Sequence, residues 1–323
     1  MKKFLIKVIL FIAPVILLAV PLDYGLSYLL RQSDLYPGEL EVWNDIYNSN
    51  ANCDIAIYGS SRAWVQIDPK IIADTLGGSA YNFGVDGHNF RLEYLRHLEL
   101  LKHNNKPKTI IFSVDIFTLQ KRKDLYQFEQ FLPFMLWNKN VQKYTSNYEG
   151  FTSTDYMLPL IRYAGKTSAL NNCLKILIKG KPAHKYRDHG YRPENSKWNE
   201  DLAAAKKKQE HYIVKFDTAT IHLFEQFIEE CKSQNISLIL VYAPEYIEGQ
   251  NYIGNRKEVL DVFRNFSEKY HLPFFDYSND SICFDKNLFY NSMHLNQTGA
   301  ERFSSELAHD IKMNNNKALS NLR

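Results

Sequence analysis

The chain has 323 residues, 45% of them hydrophobic and 23% charged, and a net charge of +3. That length carries one large domain or two small ones with an ample core, and the composition excludes global disorder. The basic residues are scattered, which excludes the concentrated basic face of a nucleic-acid binder.

The N-terminus reads as a membrane element. Phe4 to Leu22 is apolar except for Lys7, follows Lys2 and Lys3, and the apolar character resumes in Leu26 to Leu30. About 20 residues span a bilayer as a helix, a proline such as Pro14 is tolerated there, and Lys7 is near enough to the end to snorkel. The lysines precede the span, so the positive-inside bias leaves residues after about 23 outside the cytoplasm. We take residues 1–30 as an uncleaved anchor. The alternative is a cleaved signal peptide, although no small-x-small site stands after Ala19. Four cysteines (Cys53, Cys173, Cys231, Cys283) lie far apart with no C-x-x-C. Outside the cytoplasm they could pair, though the spacing does not show it. Cys53 and Cys231 read more simply as packed thiols, and no metal site is indicated.

Residues 31–50 form a polar connector of short helical character, broken at Pro37-Gly38. Asp54 to Tyr58 is a buried-strand pattern that stops at Gly59-Ser60-Ser61-Arg62. Asp68-Pro69 starts a helix ended by Gly77-Gly78, and a strand from Ala80 to Val85 follows. An amphipathic helix runs from about Asn89 to His103, with Leu92, Leu95, Leu98 and Leu101 on one side. A third strand, Thr109 to Val114, ends at Asp115. Strands and helices alternating in this way specify βαβ units and a parallel sheet.

Regularity lapses over about 121–215, with aromatic clusters, a basic run from Lys175 to Lys185, and Asp188-His189-Gly190. We read this stretch as an insertion of helices and loops capping the sheet edge. Its Lys206-Lys207-Lys208 run reads as a solvated helix face. Alternation resumes with helix 218–233, strand 237–242 followed by Ala243-Pro244-Glu245, helix 256–270, strand 274–277 and a last helix from Thr298 to about Met313. The polar tail 314–323 is expected to fray. The division that results is an anchor (1–30) and an α/β domain (31–323).

A serine becomes nucleophilic near neutral pH when a base sits within hydrogen-bond reach and donors face the oxyanion it creates. Among ten histidines His294 has the best context, because its loop follows the last strand and emerges on the serine's edge of the sheet. Gly59-Ser60-Ser61-Arg62, Asn82-Phe83-Gly84-Val85-Asp86-Gly87 and Asn291-Ser292-Met293-His294-Leu295-Asn296-x-x-Gly299 together resemble three motifs of the SGNH (GDSL-type) hydrolase and acyltransferase superfamily. The resemblance covers 54–118 and 216–312. It implies a three-layer α/β/α sandwich with Ser61 as nucleophile, His294 as base, and the N–H groups of Ser61 and Gly87 as oxyanion hole. It is nearest to membrane-anchored members such as the D-alanyl transfer protein of teichoic-acid modification and alginate-type polysaccharide O-acetyltransferases. That implies extracytoplasmic O-acylation of a surface polysaccharide, a carbohydrate or acyl-ester substrate, a multi-span membrane acyltransferase as partner, and no cofactor.

Two positions depart from the motifs. Asn291 stands where an aspartate is usual, so Ser61 and His294 act as a dyad, or Asn291 orients the base as in Cys-His-Asn sites, or a carboxylate such as Asp285 or Glu245 substitutes. The Gly-x-Asn-Asp motif is replaced by Ser113-Val114-Asp115-Ile116-Phe117. Both departures suit the alternative of a weak or inactive protein that binds glycan or a membrane partner. Arg62, Asp115 and Glu245 are candidate site-lining residues, each with a plain reading as an ion pair or a cap. His88 is expected to face solvent, and Asp188-His189 to be a loop. A phosphate-binding P-loop is disfavoured, since no Gly-Lys-Ser/Thr follows Gly59.

Overall fold

Five apolar runs pair into one sheet in the computed structural model, which describes residues 1–36, 38–122, 124–182 and 185–320. The strands are β1 (Ile55–Gly59), β2 (Ala80–Asn82), β3 (Thr109–Val114), β4 (Ser237–Tyr242) and β5 (Phe274–Asp276), all parallel in the order β2-β1-β3-β4-β5. The helices of the first half are α1 (Lys2–Arg31), α2 (Glu39–Tyr47), α3 (Ser61–Gln66), α4 (Pro69–Leu76), α5 (Phe90–His103), α6 (Lys139–Thr145), α7 (Ser153–Met157) and α8 (Thr167–Lys179). Those of the second half are α9 (Asp201–Lys208), α10 (Thr218–Ser233), α11 (Ile247–Tyr252), α12 (Arg256–Tyr270) and α13 (Gln297–Ser320).

Side chains alternate across a strand, so each strand feeds two cores. Ile55, Ile57, Ile111, Ile239 and Val241 pack against Ile67, Ile72, Phe303 and Leu307, an aliphatic layer under α4 and α13. Tyr58 and Phe112 point the other way, into aromatics of α5 and α10. There Phe112 and Phe224 lie 5.4 Å apart between centroids, and Phe90 and Phe224 4.8 Å. Helices cover both sides of the sheet, as the alternation predicts. From β1 the chain moves to one side for β2 and to the other for β3, which opens a crevice at the C-terminal end of β1.

The chain packs as two compact units, Met1–Asn44 with Lys123–Tyr186, and Asp45–Arg122 with Arg187–Arg323. The sheet belongs to the second. In the first, α1 is a single helix through Pro14 and Pro21, and by length and composition Leu10–Arg31 can cross a membrane. Asp23 in its C-terminal part is buried and pairs with Arg162 at 2.6 Å, while Trp43 packs edge-on against Phe131 at 5.9 Å. The stretch anticipated as one insertion over 121–215 thus divides, its middle falling in the unit of α1 and residues 187–215 in the unit of the sheet.

Two elements differ in length from expectation. β2 closes at Asn82, because the Asn82 side chain turns to the backbone of α3, although Phe83 and Val85 still donate to Ile57 and Gly59. The last helix continues past Met313 to Ser320, as propagation of a formed helix is cheap compared with its nucleation. Of the tail expected to fray, 321–323 lie outside the described residues, as does Pro37 of the connector break and 183–184 of the basic run.

Candidate active site

The serine turn begins with a position only glycine fits. Gly59 has φ +137°, and a Cβ there would stand 2.5 Å from the Ser113 carbonyl oxygen. Ser60 then caps α3, its hydroxyl accepting from the Arg62 N–H at 3.2 Å. The same hydroxyl donates to Asp115, whose other carboxylate oxygen accepts from the N–H groups of Phe117 (2.7 Å) and Thr118 (3.0 Å). Ser60 and Asp115 are both buried, and every polar atom of the pair is engaged with the turn. Ser61, one residue on, starts α3 with its side chain half-buried.

His294 meets Ser61 from the loop between β5 and α13. Ser61 Oγ and His294 Nε2 are 2.9 Å apart, across 233 residues of sequence. Asn291 Oδ1 accepts from three donors, the N–H of Met293 (3.0 Å), the N–H of His294 (2.9 Å) and His294 Nδ1 (3.0 Å). Two backbone N–H groups therefore hold the oxygen of this amide, not its nitrogen, toward the ring. Nδ1 must carry the proton, and Nε2 presents its lone pair to the serine hydroxyl. The Tyr290 ring stacks nearly parallel on the imidazole, 5.4 Å between centroids. Desolvation, and after it the positive charge of Arg62, lowers the His294 pKa from its ordinary value to about 3, so the ring is neutral throughout the physiological range.

The carboxylates proposed as stand-ins for aspartate are occupied elsewhere. Asp285 is exposed and accepts from the Asn287 N–H at 3.0 Å. Glu245 is buried and pairs with Arg62 at 2.9 Å, while its second oxygen accepts from Tyr242 at 2.8 Å. Arg62 in turn donates to the Ala243 carbonyl and lies over the Tyr242 ring at 4.9 Å. Arg62, Asp115 and Glu245, expected as lining, are instead buried supports beneath the turn.

The loop after β2 is drawn onto α3. Asn82 Nδ2 donates to the carbonyls of Ala63 and Ile67, both at 2.8 Å, and Asn82 Oδ1 accepts from the Gly84 N–H at 2.9 Å. A Cβ on Gly84 would come within 2.6 Å of the Trp64 nitrogen, so this approach requires glycine. Gly87 follows with φ +67°, and its carbonyl is held by Arg122. Among the described residues, no acceptor meets the backbone N–H of Ser61 or of Gly87.

Ser61 and Gly87 share a cavity of about 350 Å³ with Ser60, His88, Phe117, Gln120, Arg122 and Tyr212. His88, expected in solvent, is buried here because Phe90 and Asn89 pin their loop to Thr118 and Gln120. Phe117, Gln120, Arg122 and Tyr212 were missed by motif reading. A one-bridge pairing of Gln120 with Phe216 and the Tyr212–Gln120 hydrogen bond (2.9 Å) gather them, and no local pattern signals either contact. Asp188-His189 is an exposed loop pair; the adjoining Gly190 touches the Asn82 carbonyl, where a Cβ would not fit.

No family model and no curated protein matches the chain. Among solved structures, an acetyl xylan esterase is similar at 11% identity and TM-score 0.39, over 80% of this chain and 98% of that one. A GDSL-like lipase from Bacteroides thetaiotaomicron is similar at 10% identity and TM-score 0.37, over 84% of this chain and 98% of that one. Likeness at this level decides neither fold nor activity.

Proposed function

We propose that the chain is an extracytoplasmic serine acyltransferase or esterase, tethered by α1, that works through an acyl-Ser61 intermediate. The observation that carries this reading is the pair of hydrogen bonds from Ser61 to His294 and from His294 to Asn291, at the crevice beside β1. His294 Nε2 takes the hydroxyl proton as Ser61 Oγ bonds to the acyl carbonyl carbon. The N–H groups of Ser61 and Gly87 donate to the oxyanion that forms. As the tetrahedral intermediate collapses, His294 returns the proton to the leaving alkoxide or thiolate. An acceptor hydroxyl, deprotonated by the same nitrogen, then attacks the acyl-serine and restores Ser61.

Asn291 orients the imidazole without adding a full negative charge beside the imidazolium, so the base is aimed well but stabilised less than by a carboxylate. The aromatic walls Phe117 and Tyr212 suit an acyl group or a sugar ring. With the motif resemblance, they support acetylation of a surface polysaccharide as the reaction. A multi-span membrane acyltransferase delivering the acetyl group is the partner that reaction calls for.

The test is an acetyl adduct on Ser61 after incubation with p-nitrophenyl acetate, read by mass spectrometry of the peptide. Wild-type protein should carry the adduct and Ser61→Ala should not. Full esterase and transferase activity in Ser61→Ala would sink the reading, and an unmodified wild type would favour the glycan-binding alternative.

A further inference from the structure

The unit that contains α1 carries a second apolar surface, on α8. Helix α8 buries Ala169, Cys173 and Ile176, spaced i, i+4, i+7, and packs with them on α1, where the Cys173 thiol donates to the Leu26 carbonyl at 3.4 Å. Beside that stripe runs another. Leu170, Leu174, Leu177 and Ile178, spaced i, i+4, i+7, i+8, are 37%, 54%, 68% and 71% exposed. The remaining side of the helix is polar, with Ser168, Asn171, Lys175 and Lys179. A helix with one face satisfied by protein, one apolar and open, and one polar that bears Lys179 and a Lys175 paired with Asp34 at 3.0 Å has the pattern of an element lying at a lipid interface.

The position of α8 along α1 agrees with that depth. About 20 residues of helix cross the hydrocarbon core, so α1, apolar from Phe4 and able to span over Leu10–Arg31, leaves the membrane in the stretch that begins near Asp23. Tyr24 and Tyr28, one turn apart and 56% and 66% exposed, follow at once, where interfacial aromatics belong. Leu26, between them, is the residue that Cys173 of α8 touches. The charged pair Asp23–Arg162 at this level is buried in protein and so kept from lipid. Beyond α8 come Lys181 and Lys185, both exposed, which match an anionic headgroup layer.

We propose that α8 is an interfacial helix, its Leu170–Ile178 face seated in the outer headgroup and acyl boundary of the bilayer that α1 crosses. Lipid is favoured over a protein partner because the open face adjoins the anchor at the level of its tyrosines and is bordered by lysines. The proposal rests on α1 crossing the membrane and is independent of acyl transfer at Ser61.

It is tested on the full chain with the four cysteines replaced by alanine, in nanodiscs of phosphatidylcholine and phosphatidylglycerol. An environment-sensitive fluorophore is placed in turn at Leu177→Cys, Leu17→Cys and Lys207→Cys. The Leu177 and Leu17 probes should emit at shorter wavelength than the Lys207 probe and be quenched by doxyl-labelled lipid, with the Lys207 probe quenched by aqueous iodide. A Leu177 probe as accessible to iodide as Lys207, beside a lipid-quenched Leu17 probe, overturns the interfacial helix while leaving the anchor intact. If the Leu17 probe is also in water, the anchor itself fails and the proposal with it. A Leu177 probe that is wet in nanodiscs but shielded in native membranes overturns it in favour of a protein partner.

Discussion

Ser60 and Ser61 are adjacent and chemically identical, yet the fold treats them as opposites. Below the turn, Ser60, Asp115, Arg62 and Glu245 are buried and closed on one another by hydrogen bonds and an ion pair. Above it, Ser61, His294 and Asn291 are half-buried and form a single directed line that ends at an open cavity. The difference teaches that burial alone does not mark a reactive group. What separates the two layers is whether donors and acceptors are used up among themselves or left aimed at a space that a substrate can enter.

Substitutions above and below the turn should therefore fail in different ways. The largest effect belongs above it. Ser61→Ala and His294→Ala should each lower kcat/KM for p-nitrophenyl acetate by on the order of 10^4-fold, with unfolding midpoints near wild type. Next comes the layer below. Arg62→Met leaves Glu245 buried with only the longer cation contact, to Arg256 at 3.7 Å, and should cost about 3 kcal/mol in denaturant unfolding, the converse pattern. A fully stable Arg62→Met would erase the distinction between the layers.

Asn291 sharpens the comparison further. Asn291→Ala removes the group that sets the imidazole tautomer and should lower kcat roughly 10^2-fold with KM little changed. The pH profile separates charge from orientation. A base whose pKa is lowered to about 3 stays neutral as pH falls through 6.5, so the acid limb of kcat/KM should lie well below the ordinary histidine range. Asn291→Asp adds a negative charge beside the ring and should move that limb upward, and an unmoved limb would show that another group titrates.

The smallest effect tests a buried group beneath the site. Glu93 of α5 is buried, and its carboxylate has no hydrogen-bond partner among the described residues. Burial, and then the charge of Asp115, raises its pKa well above the usual range. In the unfolded chain this carboxyl ionises above about pH 4, while the folded protein keeps its proton, so the group costs stability increasingly as pH rises. Glu93→Gln should raise the free energy of unfolding relative to wild type at pH 8 and not at pH 3, by on the order of 1 kcal/mol. A gain at pH 3 alone would reverse the assigned sign.

Short-range pattern sufficed for much of this molecule. Strand alternation from Asp54 to Tyr58 and again at 109–114 and 237–242 specified a parallel sheet, and the turn after Tyr58 offered two serines, between which the motif resemblance chose Ser61. Asn291, His294 and Gly87 were legible because turns at the ends of parallel strands converge on one edge. What the tertiary structure alone decided was partnership. Whether Arg62, Asp115 and Glu245 line the site or support it depends on contacts across as many as 183 residues, which no local spacing encodes. The same holds for Tyr212 and Gln120, joined by one side-chain hydrogen bond, and for the stretch 121–215, whose middle packs in the unit of α1. Periodicity reports which face of an element is apolar, while the identity of what meets that face is set by packing, and so sequence located the candidate serine while only the fold assigned its neighbours.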